Sequence, residues 1–331
     1  MTSGYLLASV PASSNPMRDK DSMNIDRTRI QPLRGLLVGT LLVAALCPGR
    51  ASAQTAPPPS QTTPAPAGAA APEQKAVVRK VPPPMTVAEA EAFVKRAPKD
   101  TNAYLALGSA LRKAGRPQEA LQAFQKMVAL EPGNSTAQVS IGAAYMDLKR
   151  PKDAERAFRK ALQMNPTDAT AHYNMANLHQ SQGHRDEAIG ELKKATTMEP
   201  PMAEAWVSLG LIQAELGETS EAINSYKKAM TIDSTNVRAL CNLGNSYYAL
   251  GRISEATALY RKAIKLEPRN QEALYNLGVA FADAQIFNSA ISYWRRVSEI
   301  DSTTQVAESA RSSIEVLQQY LEQNKASKPA N

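Results

Sequence analysis

Residues 237–270 read VRALCNLGNSYYALGRISEATALYRKAIKLEPRN, and residues 271–304 read QEALYNLGVAFADAQIFNSAISYWRRVSEIDSTT. Each stretch holds two apolar stripes of helical period with a turn between them. Laid over one another they coincide: Leu243 with Leu277, Gly244 with Gly278, Ala256 with Ala290, Tyr260 with Trp294. The same 34-residue register extends back to Thr101, giving six units: 101–134, 135–168, 169–202, 203–236, 237–270 and 271–304. Position 20 is alanine in every unit: Ala120, Ala154, Ala188, Ala222, Ala256 and Ala290. Position 8 reads Gly108, Gly142, Ala176, Gly210, Gly244 and Gly278, and position 24 is bulky throughout.

Each column has a physical reason. Positions 4, 7, 8 and 11 share one face of a first helix, and positions 20, 24 and 27 share one face of a second. Small residues at 8 and 20 let the two backbones approach, and bulky residues at 7 and 24 fill the flanks. Gly115, Gly183, Gly217 and Gly251 suit the left-handed turn that ends the first helix. Pro132, Pro166, Pro200 and Pro268 stop the second, since proline has no amide donor. The spacing therefore predicts an all-α solenoid of stacked hairpins. A half-hairpin is expected at 85–100, with Val87, Ala90, Phe93, Val94 and Ala97 on one face. A capping helix is expected at 305–322, with Val306, Ala310, Ile314, Leu317 and Leu321 inward, followed by a disordered tail at 323–331.

These residues resemble the tetratricopeptide repeat family, a 34-residue helix–turn–helix with Trp, Leu-Gly, Tyr, Ala and Pro at spaced positions. Trp206, Leu209 and Gly210 match its opening, as do Leu243, Gly244, Tyr247, Ala256 and Pro268. The resemblance implies a right-handed superhelix. Departures are Gln138, His172 and Gln213 at aromatic positions, Lys149 and Gln285 at the turn glycine, and Ser234 and Ser302 at the final proline. They predict softer joints without a change of register.

Ahead of the array the chain changes character. Arg27, Arg29 and Arg34 precede an apolar run from Gly35 to Cys47, and Ala51-Ser52-Ala53 follows. The run is shorter than the roughly 20 residues a spanning helix needs. Residues 1–53 therefore read as a secretory signal of bacterial export type, or as an anchor that stays uncleaved, with Met17 and Met23 as alternative starts. The expected location is the periplasm or the exterior. Cys47 follows Leu46 rather than a small residue, which argues against a lipid-modified cysteine. Residues 54–84, rich in Pro and Ala, read as a disordered spacer. After cleavage only Cys241 remains, so no internal disulfide can form.

Charge excludes some functions. Residues 1–84 hold 9 Lys/Arg against 4 Asp/Glu, whereas residues 85–331 hold 29 against 27. Read along the chain, the body shows no basic stripe that would track phosphates, so no nucleic-acid partner is expected. Membrane contact is expected only through an amino-terminal segment that stays uncleaved. No phosphate-cradling loop or HExxH pair occurs, and the three histidines, His172, His179 and His184, fall within one repeat without further ligands. No catalytic residue, metal or cofactor is expected.

Binding is the expected activity. The resemblance implies that positions 2, 5, 6, 9, 12 and 13 line a concave groove. Here these positions include Tyr173, Asn174 and Asn177; Arg238, Cys241, Asn242, Asn245 and Tyr248; and Glu272, Tyr275 and Asn276. Asn174, Asn242 and Asn276 share position 6, which resembles the asparagine ladder of the O-linked N-acetylglucosamine transferase repeats, with Ser208 as a gap. A carboxylate clamp is disfavoured by Tyr173, Val207 and Tyr275 at the fifth position. The expected function is thus a non-catalytic scaffold or adaptor for a protein or peptide partner. The alternatives are an assembly factor for a cell-envelope complex (pilus, secretion or polysaccharide export) and a regulatory or substrate-recruiting subunit of an enzyme on another chain.

Overall fold

A computed structural model describes residues 83–326; residues 1–82 and 327–331, with the signal and most of the spacer expected there, lie outside the described part. Among the described residues every regular element is an α-helix. A leading helix, α1 (Val87–Arg96), precedes six hairpins. These pair α2 (Thr101–Lys113) with α3 (Pro117–Leu130), α4 (Ser135–Asp147) with α5 (Pro151–Met164), and α6 (Ala169–Ser181) with α7 (Arg185–Thr197). They continue with α8 (Ala203–Glu215) and α9 (Thr219–Ile232), α10 (Val237–Ala249) and α11 (Ile253–Leu266), and α12 (Gln271–Asp283) and α13 (Phe287–Ile300). Helix α14 (Gln305–Ala326) closes the array. Each second helix packs on the next first helix, and the first helices of repeats one to three, and of repeats four to six, also touch. The result is a nearest-neighbour solenoid.

The core repeats one contact. A methyl group on Gly108 or Gly142 would overlap the ring of Phe124 or Phe158. On Gly210 and Gly244 it would lie 2.6 Å from Cε1 of Tyr226 and Tyr260, and on Gly278 2.5 Å from Nε1 of Trp294. The third repeat proves the rule by its exception: Ala176 replaces the glycine, and its partner at position 24 is Leu192, with both residues buried. The extra methyl group is accommodated by removing the ring.

Caps begin most first helices. Side chains of Asp100, Asn134, Asp168, Asn236 and Asn270 accept from backbone amides in the first turn. Helix α8 lacks this, starting after Met202, whose side chain instead packs against the buried cluster that includes Leu192 and Leu209. The turn glycines take φ from 72° to 80°. Lys149 and Gln285 adopt the same left-handed conformation, with φ 57° and 61°. The turn bonds persist there: the Lys149 amide donates to Met146 O and the Arg150 amide to Tyr145 O. These departures thus cost local strain, on the order of 1–2 kcal/mol, and leave the register intact.

Position 4 shows how a histidine replaces an aromatic residue. Tyr104 donates its hydroxyl to Pro98 O, six residues back. His172 places Nε2 3.0 Å from Pro166 O, also six residues back, and Nδ1 2.6 Å from Glu191 Oε2. It is a buried structural anchor.

The closing helix differs from expectation in reach. It continues past Glu322 to Ala326, so 323–326 are helical rather than part of a disordered tail. Ala307, Ala310, Ser313 and Leu317 are buried, and Phe287 meets Tyr320 edge-on at 6.0 Å. At the other end, Thr86 and Glu89 form a reciprocal capping box on α1, whose Ala90 is buried beside Ala106 and Ala110. No described helix is long and apolar enough to cross a membrane.

Candidate partner-binding face

The first helices of repeats one to three, and those of repeats four to six, lie side by side, which brings the end of one first helix against the end of the next. The rungs are visible in the bonding. Arg112 Nε contacts Asp147 Oδ2 at 2.5 Å, position 12 to position 13 of the next repeat, and Tyr248 donates to Asp283 in the same relation.

The structure separates the expected site residues into two groups. Tyr173, Asn174, Asn177, Asn242, Asn245 and Tyr248 are partly exposed, and Arg238 and Glu272 are exposed. By contrast, Tyr275 is only 8% exposed and Asn276 9%, and Val279, Ala282 and Asp283 are buried too. This corrects the expectation that the last repeat offers its inner face to a partner. The closing helix lies against α12 and covers that face, and the Tyr275 and Ser313 hydroxyls meet at 3.3 Å. The open face therefore ends at the fifth repeat.

The asparagine ladder is corrected as well. Asn174 donates Nδ2 to Thr170 O of its own helix, 2.8 Å away. Asn276 is turned inward and donates Nδ2 to Asn245 Oδ1 at 2.9 Å. Position 6 thus forms no uniform row.

Asn245, at position 9, is the best-held polar group on the face. Its Oδ1 also accepts from the Tyr260 hydroxyl at 2.7 Å. Its Nδ2 lies 3.4 Å from Glu272 Oε1. A reversed amide would point oxygen at a carboxylate, so these neighbours set its orientation: oxygen saturated from within, nitrogen outward. Position 24 reads as packing in the sequence, which hides the polar role of the Tyr260 hydroxyl. Its one visible signal was tyrosine where the first two repeats have phenylalanine. Burial pushes the phenols of Tyr226 and Tyr260 well above the usual tyrosine range.

Beside Asn245 lies a cavity of about 290 Å³ between two inter-repeat loops, lined by Arg238, Cys241, Glu267, Asn270 and Glu272 among others. Cys241 is 2% exposed. Burial first, then the carboxylates of Glu272 and Glu267, pushes its thiol up to about 12. It is a packing residue at neutral pH rather than a nucleophile. Among the described residues no three His, Cys, Asp or Glu side chains converge to hold a metal.

Stacked helical hairpins with a glycine-to-ring contact in each define a tetratricopeptide-repeat protein. Within that class, the family described as Cilia and flagella-associated protein 70 C-terminal domain matches residues 63–312, and the chain belongs to it. A comparison with curated proteins finds no match. Among solved structures, the fold is similar to Pseudomonas aeruginosa PilF, at TM-score 0.57 and 16% identity over 68% of this chain and 99% of that one. It is also similar to PilW, described as a type IV pilus biogenesis factor, at TM-score 0.53 and 17% identity over 63% and 96%. A third likeness is to the anaphase-promoting-complex heterotetramer Cut9–Hcn1, at TM-score 0.58 and 16% identity over 69% of this chain and 45% of that one.

Proposed function

We propose that this protein is a non-catalytic scaffold that holds an extended segment of a protein partner along the first helices of repeats three to five. Asn245 carries this reading. A side-chain amide clamped by a phenol, a second amide and a carboxylate is a pre-positioned donor suited to a backbone carbonyl, whatever the partner's sequence. Asn174 offers the complementary acceptor two repeats away. Asn245→Asp tests this, because it keeps the shape and the two inner donors but turns the outward donor into an acceptor. In affinity capture from the native source, the variant should retain the partner about tenfold less well, the scale of one well-placed hydrogen bond. Capture equal to that of the wild type would sink the reading.

A second reading places the scaffold in the assembly of a bacterial envelope complex. It is supported by the basic stretch, short apolar run and Ala-x-Ala of residues 27–53, and by the PilF and PilW likeness, which is one of fold.

A further inference from the structure

The outer face of the second helices carries a charge pattern that composition hides. Positions 25 and 26 read Gln125-Lys126, Arg159-Lys160, Lys193-Lys194, Lys227-Lys228, Arg261-Lys262 and Arg295-Arg296. Eleven of these twelve residues are cations. All twelve are exposed except the half-buried Arg296. They sit beside the buried position 24 and 27 side chains in sequence, yet point away from the core, since each residue turns about 100° around the helix. Residues 101–304 contain 23 Lys/Arg and 21 Asp/Glu. Eleven of the 23 stand on this ridge, so nearly half of the repeats' positive charge is gathered at two of the 34 register positions.

The ridge is neutralised only in part. Arg159 pairs with Glu155, and Lys194 with Glu191. Lys126, Lys160, Lys193, Lys228, Lys262 and Arg295 form no ion pair with described residues. At its carboxy-terminal end a shallow polar concavity of about 370 Å³ is lined by Arg295 and Arg296 with Asn288, Ser292, Ile291 and Glu299.

We propose that this ridge docks the solenoid on an anionic phospholipid surface, with the inner face left open to a partner. Rows of flexible cations without a groove or exposed aromatic platforms suit a dense, unordered layer of negative headgroups. Single-stranded nucleic acid is held by cationic grooves with stacking rings, and the ridge offers neither. Residues 1–53, if an export signal or a retained anchor, lead the chain to a membrane. Contact with lipid thus extends beyond residues 1–53, to which the sequence reading confined it.

The test is co-sedimentation of the full chain with vesicles of phosphatidylcholine, with or without phosphatidylglycerol as a minority component. The comparison is with Lys160→Glu/Lys193→Glu/Lys228→Glu/Lys262→Glu. All four lysines form no ion pair with described residues, and circular dichroism checks that helicity is unchanged. A second variant with glutamine at the same sites removes charge without adding the opposite sign. Every chain keeps residues 1–84, so differences belong to the ridge. The wild type should prefer the anionic vesicles and lose that preference in high salt. The glutamate variant should bind about tenfold or more weakly, and the glutamine variant should fall between. Equal binding by all three chains would overturn the proposal. So would a wild-type preference for duplex DNA over anionic vesicles at equal phosphate concentration.

Discussion

Gly142→Ala is expected to lower stability by about 1–2 kcal/mol, although alanine is the better helix former by roughly 1 kcal/mol. The new methyl group would overlap the Phe158 ring, which is fully buried. Phe158→Leu alone should also destabilise, by about 1–2 kcal/mol, through the cavity it leaves. Together they rebuild the Ala176–Leu192 contact of the third repeat. The double variant should therefore be more stable than additivity predicts, by about 2 kcal/mol in a denaturant-unfolding cycle. A simple rise in stability for Gly142→Ala would mean that helix propensity, and not the glycine-to-ring contact, governs these interfaces.

Cys241 is expected to resist alkylation by iodoacetamide at pH 8 on the order of a thousandfold more than an exposed thiol. Burial and the nearby Glu272 and Glu267 carboxylates hold its thiol at about 12, against an ordinary value of 9.0. The sign for stability follows. The folded state keeps the proton that the unfolded state releases, so this contribution is complete below the unfolded thiol's pKa. It is lost as pH rises from there towards 12. Labelling timed by mass spectrometry checks the rate. Cys241 lies under the loops joining repeats four, five and six, so its labelling reports local opening of the open face's carboxy-terminal edge. Rapid labelling in the native state would show that these joints breathe far more than their packing indicates.

The parts of this molecule that repeat were legible in its sequence. The alanine column, the alternation of glycine and ring, and the turn glycines each report a contact within one hairpin or between neighbours. Such contacts recur at fixed spacing. His172 could be read as a packing residue for the same reason. What could not be read was whatever depends on how non-equivalent parts meet. The register placed Tyr275 and Asn276 in a groove. It could not show that the closing helix would run to Ala326 and lie over them. It treated the asparagines at position 6 as equal, whereas their partners differ: Thr170 O for Asn174, and Asn245 for Asn276. The basic ridge is hidden for another reason. Along the chain acids intervene, and the ridge emerges only when the register is wrapped onto the outer helix face.

The central claim is that partners are held on the first-helix face of repeats three to five. Site-specific photo-crosslinking in the native source tests it most directly, with a benzoylphenylalanine at exposed Thr170 or Ala249 on that face, and at exposed Ala258 on the outer side of α11. The account predicts a discrete protein adduct from Thr170 and Ala249 and none from Ala258. Protein adducts from Ala258 alone would contradict it.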